Sequence, residues 1–334
     1  MIGVKYCKGD LKMYYKSCRW INSGIEFRTN SLRLCCYGYL QGRETEYQTT
    51  IKENYHGELI DWNEIFKIKD KLKQMHKNGE YLDACKNCIY LSERNWEEEN
   101  YINHFTFNHW TKCNCNCIYC YTAKNKKEFN SYKEYSLYPI IKDMFKNNII
   151  KHTEEACVIF GGGEPTILRD FDKIIDIFLK NGCNNIRINS SGIKYSKAVE
   201  NGLKQGAVSM VISVDAGTQE TYERIKQVKT YKKVWENIRK YAKAGKELLK
   251  VKFILFPPVN DNYYEIDKWF EEVIKNEVKS VSLSVEQDWF NSHQRNFPPK
   301  IYEQISYIKK RAEELNLDLE IYCEALAVLR ECKL

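Results

Sequence analysis

From about residue 102 onward, short apolar runs alternate with longer stretches in which apolar residues recur at the spacing of a helix. A run of four to eight residues rich in valine, isoleucine, leucine and phenylalanine is typical of a buried strand. By this criterion we predict six strands, at residues 104–107, 156–160, 185–189, 209–215, 250–255 and 280–286. The amphipathic stretches that follow them predict six helices, at residues 133–146, 170–181, 196–205, 234–244, 265–276 and 301–315.

The strand–helix units follow one another at intervals of about 30–35 residues, which is typical of parallel strands joined by crossover helices. A closed barrel of eight such units needs ~250 residues, whereas the stretch from about residue 102 to residue 315 has only about 210. The pattern therefore predicts an α/β fold with a partial, six-stranded (β/α)6 barrel. A further strand at 317–323 and a helix at 325–331 predict a short C-terminal extension.

The first hundred residues have a different texture, with short elements, many aromatic residues and several cysteines. Their one clear helical pattern covers residues 62–76. We therefore divide the chain into a small cysteine-rich module at 1–100, the partial barrel at 101–295 and the extension at 296–334.

Apolar residues make up 43% of the 334-residue chain and charged residues 29%, which is enough apolar material for a packed core. No apolar run reaches the ~18 residues of a membrane-spanning helix. The N-terminal residues lack the apolar core of a signal peptide, so we expect a cytoplasmic protein. The net charge of +7 is spread along many helices and forms no single basic run, which argues against a nucleic-acid partner.

Fourteen cysteines stand out in this composition. They lie at positions 7, 18, 35, 36, 85, 88, 113, 115, 117, 120, 157, 183, 323 and 332. Because the cytosol keeps thiols reduced, clustered cysteines there indicate a metal site more than a disulfide framework. Five of them have no neighbour at ligand spacing, and we expect each to be a small buried apolar side chain: Cys7, Cys157, Cys183, Cys323 and Cys332.

The tightest group follows the first predicted strand and contains Cys113, Cys115, Cys117 and Cys120. Three thiolates with the spacing Cys113-x3-Cys117-x2-Cys120 can bind three irons of a cubane [4Fe–4S] cluster, which leaves the fourth iron open to a small molecule. The alternative is a zinc site, which needs four ligands and usually takes them from paired Cys-x2-Cys units. Cys115 is an extra thiol, either a bystander or a substitute ligand.

This spacing resembles the signature of the radical S-adenosylmethionine (radical SAM) family, whose members also place an aromatic residue where Tyr119 stands. The resemblance implies that Cys113, Cys117 and Cys120 hold a [4Fe–4S] cluster and that SAM binds its open iron through the amino and carboxylate groups. It also implies that Tyr119 lies against the adenine.

A glycine run, residues 161–163, ends the second predicted strand and is followed by Glu164 and Pro165. Glycine allows the backbone to approach a ligand closely, although an ordinary strand–helix turn has the same composition. No Lys-Ser/Thr pair follows the run, which argues against a phosphate-binding loop. In the radical SAM family a matching Gly-Gly-Glu binds the methionine ammonium, which assigns that role to Gly162, Gly163 and Glu164.

The ends of the third and fourth strands carry further polar candidates. Ser213 and Asp215 share one face of their strand, and the resemblance implies that they and Ser190 bind the ribose hydroxyls and the methionine carboxylate. Asp215 has an alternative role as a helix N-cap. Family members often place an arginine for the SAM carboxylate where this chain has Lys226, which supplies charge without a two-pronged contact. Arg224 lies nearby, on another helix face.

The cysteines before the barrel resemble the SPASM/twitch module, which in radical SAM enzymes usually follows the barrel. A strand ends in one or two cysteines, a helix follows, and a Cys-x2-Cys turn closes the site. This resemblance implies an auxiliary [4Fe–4S] cluster held by Cys18, Cys35, Cys85 and Cys88, with Cys36 as the alternative to Cys35. A four-cysteine zinc site remains the other interpretation, since both chemistries use Cys-x2-Cys.

Ser282, Ser284 and Glu286 share one face of the sixth strand, and we interpret Glu286 as a substrate contact, with a solvated rim residue as the alternative. His104 and His109 flank the first strand, where a core role is the simpler interpretation.

The resemblance implies that SAM is cleaved to a 5′-deoxyadenosyl radical, which takes hydrogen from a substrate carbon. It further implies net oxidation through the second cluster and an external electron donor such as flavodoxin or ferredoxin. Because the first hundred residues leave no ~80 residues for a leader-binding domain, we favour a small molecule or saccharide over a peptide substrate. The remaining alternative is a non-catalytic iron–sulfur or zinc protein.

Overall fold

The computed structural model describes residues 14–35, 47–96, 99–293 and 296–331. The strands are β1 Tyr14–Ser17, β2 Gly24–Arg28, β3 Ser31–Arg33, β4 Thr50–Glu53, β5 Ser92–Asn95, β6 His104–Asn108, β7 Cys157–Phe160, β8 Ile186–Ser190, β9 Val208–Ser213, β10 Leu249–Leu255, β11 Ser280–Val285 and β12 Asp318–Ile321. The helices are α1 Arg19–Ser23, α2 Trp62–Lys77, α3 Tyr121–Lys124, α4 Lys126–Phe129, α5 Tyr138–Lys146, α6 Phe171–Lys180, α7 Lys197–Lys204, α8 Gln219–Lys226, α9 Tyr231–Ala244, α10 Tyr263–Lys275, α11 Gln287–His293, α12 Pro299–Glu314 and α13 Cys323–Glu331.

Ten of these strands form one sheet in the order β12-β11-β10-β9-β8-β7-β6-β2-β3-β4. All neighbours from β12 to β2 are parallel, and β3 and β4 continue the sheet antiparallel. The six predicted strands thus lie side by side in chain order, and the partial barrel is confirmed. The sheet extends beyond the prediction at both ends, because β12 pairs with β11 and β2 pairs with β6.

The two faces of the sheet differ, as alternation along each strand requires. In β8, Ile186 and Ile188 are buried while Arg187 and Asn189 are exposed, and β9 and β10 repeat the pattern. The buried face packs against the crossover helices and forms the main core. The opposite, concave face carries polar side chains and opens onto a cavity of about 590 Å³.

Several predicted boundaries differ from the structure by one to five residues, and two of these differences have identifiable physical reasons. The helix expected from residue 133 begins at Tyr138, with Pro139 in its first turn, the position where the missing N–H of proline costs no helical hydrogen bond. The strand expected to reach residue 215 ends at Ser213. Asp215 has φ +61°, a left-handed conformation that no strand residue can keep.

The N-terminal segment adds a second, smaller core beside the sheet. β1 and β5 form an antiparallel pair, and α2 packs against β1. The buried members of this core are Cys18, Trp20, Ile21, Leu34, Leu72 and Cys85. The division of the chain at residues 100 and 295 stays a prediction. In the described part of the chain, we find no helix of the length and apolarity that crossing a bilayer requires.

Candidate functional site

The cysteine loop leaves the carboxyl end of β6 and leads into α3. Two backbone hydrogen bonds hold it against the end of α8, from Asn116 N to Lys226 O (3.0 Å) and from Ile118 N to Ile225 O (3.0 Å). Its four thiols, at 113, 115, 117 and 120, line a cavity of about 370 Å³ together with Gly162 and Gly163. The structure therefore brings the predicted cluster ligands and the glycine run to one site.

The loop environment favours thiolates. The hydrogen bond from Cys115 lowers the pKa of Cys117 to about 6, and the Lys226 ammonium contributes in the same direction. The Cys115 contact also lowers the pKa of Cys113 and, in turn, raises that of Cys115 itself. Cys115 thus acts as the donor to its two neighbours, which suits a bystander next to two ligands.

The thiols fit a cluster better than a single ion. In the described ranges, no group of three His, Cys, Asp or Glu side chains is arranged around one ion position. Zinc requires its sulfurs to converge at about 2.3 Å from one atom. In a cubane each sulfur binds a different iron, so Cys113, Cys117 and Cys120 need only surround a shared cavity.

The glycine run serves the packing of two loops. Gly163 N donates to Trp110 O (2.6 Å) and Glu164 N donates to Lys112 O (2.9 Å). Gly162 has φ +82°, and a Cβ on it would lie 2.5 Å from Trp110 O; one on Gly163 would meet Lys112 O. Glycine is therefore required here for the close approach to the cysteine loop, whatever the backbone binds besides.

Glu164 lies at the centre of a buried hydrogen-bond network. Its carboxylate accepts bonds from Ser190 Oγ (2.8 Å), Ser191 N (2.5 Å) and Thr166 N (3.1 Å). Ser191 Oγ in turn donates to Asn114 Oδ1 (2.9 Å) in the cysteine loop. Two predicted SAM-binding residues, Glu164 and Ser190, thus contact each other, and Ser191 connects them to the cluster loop. Sequence reasoning missed the role of Ser191.

A second network joins Tyr119, Asp215 and Lys226, all buried or half-buried. Lys226 Nζ donates to Asp215 Oδ2 (2.5 Å) and to Tyr119 Oη (2.8 Å), and Tyr119 Oη donates to Asp215 Oδ2 (2.6 Å). Burial alone would lower the pKa of Lys226, but Asp215, Tyr119 and Cys117 together outweigh it, and the net shift is upward. The ammonium predicted to bind the SAM carboxylate is thus paired with Asp215 here, and its role towards SAM stays a prediction.

The backbone around Asp215 explains its position. Ile254 N donates to Asp215 Oδ1 (2.8 Å), and Asn260 Nδ2 donates to Asp215 O (2.8 Å). The N-cap of α8 is Thr218, so the alternative of Asp215 as that cap is wrong. Nothing in the sequence pointed to Asn260.

Ser213 is the last residue of β9, and Glu286 directly follows β11, two strands away in the sheet. Ser213 is half-buried at the end of β9. Glu286 is 4% exposed, so the alternative of a solvated rim residue is wrong. Its Oε2 accepts a hydrogen bond from Trp289 N (2.6 Å) in the first turn of α11. The proposed contact between Glu286 and substrate stays a prediction.

The two histidines belong to the packed sheet. His109 is buried, which lowers its pKa to about 3. Burial and the charges of Arg19, Arg187 and Lys69 lower the pKa of His104 to about 4, and its ring meets Trp20 edge-on at 5.1 Å. Both rings are therefore neutral at physiological pH.

The N-terminal cysteines come together from distant segments. Cys18 and Cys85 are buried in the smaller core, with Cys35 packed against it. Burial raises the pKa of Cys85 to about 12, and the neighbouring Cys18 and Cys88 add to the increase. Cys18, Cys85 and Cys88 thus lie close enough to affect one another, and Cys35 packs against the same core. No three of these described thiols surround a single ion position, and their role as ligands of an auxiliary cluster stays a prediction.

The other cysteines have mixed outcomes. Cys157 and Cys183 are buried, as expected, whereas Cys323 is exposed at the start of α13, where the expectation of a buried side chain is wrong. Cys7, Cys36 and Cys332 lie outside the described residues, and so does the alternative of Cys36 as a ligand.

Lys69 in α2 is a functional candidate that sequence reasoning missed. It is fully buried, and its ammonium donates to the backbone oxygens of Trp20 (3.0 Å), Ile21 (3.2 Å) and Gly24 (2.6 Å). Burial lowers its pKa to about 7, with Lys73 acting in the same direction and the thiols of Cys18 and Cys35 opposing. An amine that is only partly protonated at neutral pH therefore lies near Cys18 and Cys35. An amphipathic helix pattern alone places such a lysine in solvent.

Comparisons with known proteins agree with this geometry. The family model described as "Radical SAM superfamily" matches residues 107–270. A GTP 3′,8-cyclase of Clostridium botulinum (strain Okra / Type B1) is 28% identical over 170 residues, which cover 50% of this chain and 51% of that protein. The chain thus spans about half the length of this curated relative.

Two solved structures share the fold over most of the chain. The crystal structure of Streptococcus suis SuiB has a TM-score of 0.52 at 12% identity, covering 86% of this chain and 61% of that one. SuiB bound to its precursor peptide SuiA has a TM-score of 0.50 at 13% identity, covering 80% and 65%. At this identity the likeness shows the fold alone. The matching family model and the Cys113-x3-Cys117-x2-Cys120 loop at the carboxyl end of β6 show that residues 107–270 form a domain of the radical SAM superfamily, whose cofactors are SAM and a [4Fe–4S] cluster.

Proposed function

We propose that this protein is a radical SAM oxidoreductase whose SAM-binding cluster is held by Cys113, Cys117 and Cys120. The observation that carries the proposal is their convergence, with Gly162 and Gly163, on one cavity at the carboxyl end of β6. When bound, the cluster supplies the electron that splits SAM into methionine and a 5′-deoxyadenosyl radical, which then takes a hydrogen atom from a substrate carbon.

The chain's own contribution is to bind and orient. Gly162, Gly163 and Glu164 lie beside the thiols and are proposed to bind the methionine end of SAM. Ser190 and Ser213 are proposed to bind its ribose. The Tyr119–Asp215–Lys226 network fixes the cysteine loop against the β9–α8 junction, because its hydrogen bonds join the loop to residues on both sides of that junction. Fixed donors and acceptors of this kind orient the cofactor without reorganising during the reaction.

A second cluster and a small-molecule substrate complete the proposal. The proximity of Cys18, Cys35, Cys85 and Cys88 supports an auxiliary [4Fe–4S] cluster that accepts the substrate electron, with flavodoxin or ferredoxin as the external donor to the protein. The name of the curated relative contains GTP, a small molecule, which supports that class over a saccharide or peptide. The SuiB complex with a precursor peptide keeps peptide modification as the second candidate.

Iron content and SAM cleavage test the function together. Anaerobically reconstituted protein should hold about eight irons per chain if both clusters form. With dithionite and SAM it should form 5′-deoxyadenosine, and Cys117→Ala should abolish that product. Cys115→Ala is the matched control, because it removes a thiol from the same loop without removing a proposed ligand. Iron-loaded protein that yields no 5′-deoxyadenosine, or equal loss in both variants, contradicts the assignment.

A further inference from the structure

A cavity of about 500 Å³ lies between the β1–β5 pair and the amino ends of β6, β7 and β8. Its charged and aromatic lining includes Arg19, Arg94, Arg187, His104, Trp20 and Tyr90. It shares Arg187 and Ile159 with the larger cavity on the concave face, so the two spaces adjoin. None of the roles proposed so far uses this cavity.

The charged side chains that line this cavity are all positive. Three guanidiniums line it, and the described residues of its wall include no aspartate or glutamate. Arg19 and Arg187 come from different segments, and neither side chain forms a hydrogen bond or ion pair with any residue that the structure describes. Arg94 lies over the ring of Trp96 at 3.6 Å, which fixes its plane. Because the described residues leave the guanidiniums of Arg19 and Arg187 unpaired, this concave wall attracts an anion.

Strand β7 connects this cavity with the site of the proposed reaction. Cys157 at the start of β7 lines the cavity, and the same strand ends next to Gly161 and the SAM-binding site. At ~3.3 Å per residue the two ends are roughly 15 Å apart. A substrate held here would extend along the concave face towards the cysteine loop. Its anchored end would be remote from the reacting carbon, and binding energy from such a remote group can orient the reacting part.

We propose that Arg19 and Arg187 bind the phosphate end of a phosphorylated small molecule, which is the substrate of the radical SAM reaction proposed above. Guanidinium groups bind phosphate with two parallel hydrogen bonds. The two positive charges of Arg19 and Arg187 match a phosphate or diphosphate better than the single charge of one carboxylate. The volume falls within the ~300–1,000 Å³ of small-molecule sites. The inference rests on the proposed function for the identity of the reaction, but the binding site is testable without turnover.

Isothermal titration of the iron-loaded protein with inorganic pyrophosphate tests the site. Arg187→Gln and Arg19→Gln should each weaken pyrophosphate binding at least tenfold, because each removes a charge-assisted pair of hydrogen bonds. The affinity of Arg187→Lys for pyrophosphate should lie between those of the parent and Arg187→Gln, since lysine keeps the charge but cannot form two parallel hydrogen bonds. Arg330→Gln is the control: it removes the same charge from an exposed position on α13 and should leave binding unchanged. An unfolding temperature equal to that of the parent shows that a variant's weaker pyrophosphate binding comes from the site and not from misfolding.

The outcomes separate the site from the function. Failure of the unaltered protein to bind pyrophosphate, or equal binding by the Gln variants and the control, overturns the phosphate site. Tighter, Arg187-dependent binding of a ten-residue glutamate peptide also overturns it, in favour of a peptide site. 5′-Deoxyadenosine formation without substrate is measured on the same samples. If the parent forms none, the proposed function fails, while the titration still decides what the cavity binds.

Discussion

The two cysteine groups of this chain are built in opposite ways. The first lies within one loop, half-exposed, and its contacts lower the pKa of Cys117 to about 6. The second is collected from segments between residues 18 and 88, and burial raises the pKa of Cys85 to about 12. The ligands of the loop site are close together in the sequence, so their spacing alone identifies them. The thiols of the second site come together only when the smaller core is packed. The second group should therefore be the more sensitive to substitutions outside it.

Removing one thiol from the second group should separate its role from that of the loop group. Cys85→Ala should lower the iron content from about eight to about four per chain while 5′-deoxyadenosine formation without substrate persists. Substrate oxidation should be lost, because the proposed electron acceptor is gone. Iron analysis and product quantification on the same samples measure this. Cys183→Ala, which removes a buried thiol from the main core, is the matched control and should keep both activities. Unchanged iron in Cys85→Ala would contradict the auxiliary cluster.

Much of the fold follows from local patterns, and the site follows only in part. The strands around Ile188, Val251 and Leu283 were predictable because buried residues alternate or run continuously within one element. The loop cysteines were predictable from spacing. Asn260 and Lys69 were not, because their partners lie 45 to 49 positions away and no periodicity links them. Contacts of that range are decided by packing.

The buried ion pair at the loop site should be far stronger than a surface pair. Asp215→Asn leaves the Lys226 ammonium buried with only Tyr119 as a side-chain partner, and breaking such a pair costs about 3–5 kcal/mol. Asp288→Asn, which breaks the exposed pair with Lys124, should cost less than about 1 kcal/mol. Urea unfolding under anaerobic conditions measures both. The double variant Asp215→Asn/Lys226→Met should regain part of the loss, since it removes the unpaired charge; equal costs for the two aspartates would refute the ranking.

Lys69 should be the corresponding support of the second group. Lys69→Met removes the ammonium that donates to three backbone oxygens at the end of α1, of which, among the residues that the structure describes, only Trp20 O keeps a second donor, Gly24 N. We expect a loss of about 3 kcal/mol in the free energy of unfolding. It should also slow iron incorporation at Cys18, because α1 begins directly after that residue. Lys71→Met, on the exposed side of the same helix, should leave the urea midpoint unchanged. A variant as stable as that control would show that Lys69 does not hold α1 in place.

The smallest loss of stability is expected at Glu164, because its carboxylate is held by several hydrogen bonds and the variant disturbs only one of them. Glu164→Gln keeps the shape but turns one oxygen into an amide donor that faces a donor, Ser191 N or Thr166 N. We expect a loss of about 1–3 kcal/mol in stability and a several-fold weaker affinity for SAM, measured by urea unfolding and by titration of the iron-loaded protein. Glu220→Gln, exposed in the first turn of α8, is the control. Weaker SAM binding with unchanged stability would mean that Glu164 acts on SAM directly, whereas loss of stability with unchanged affinity would make it only a support for the Ser190–Ser191 turn.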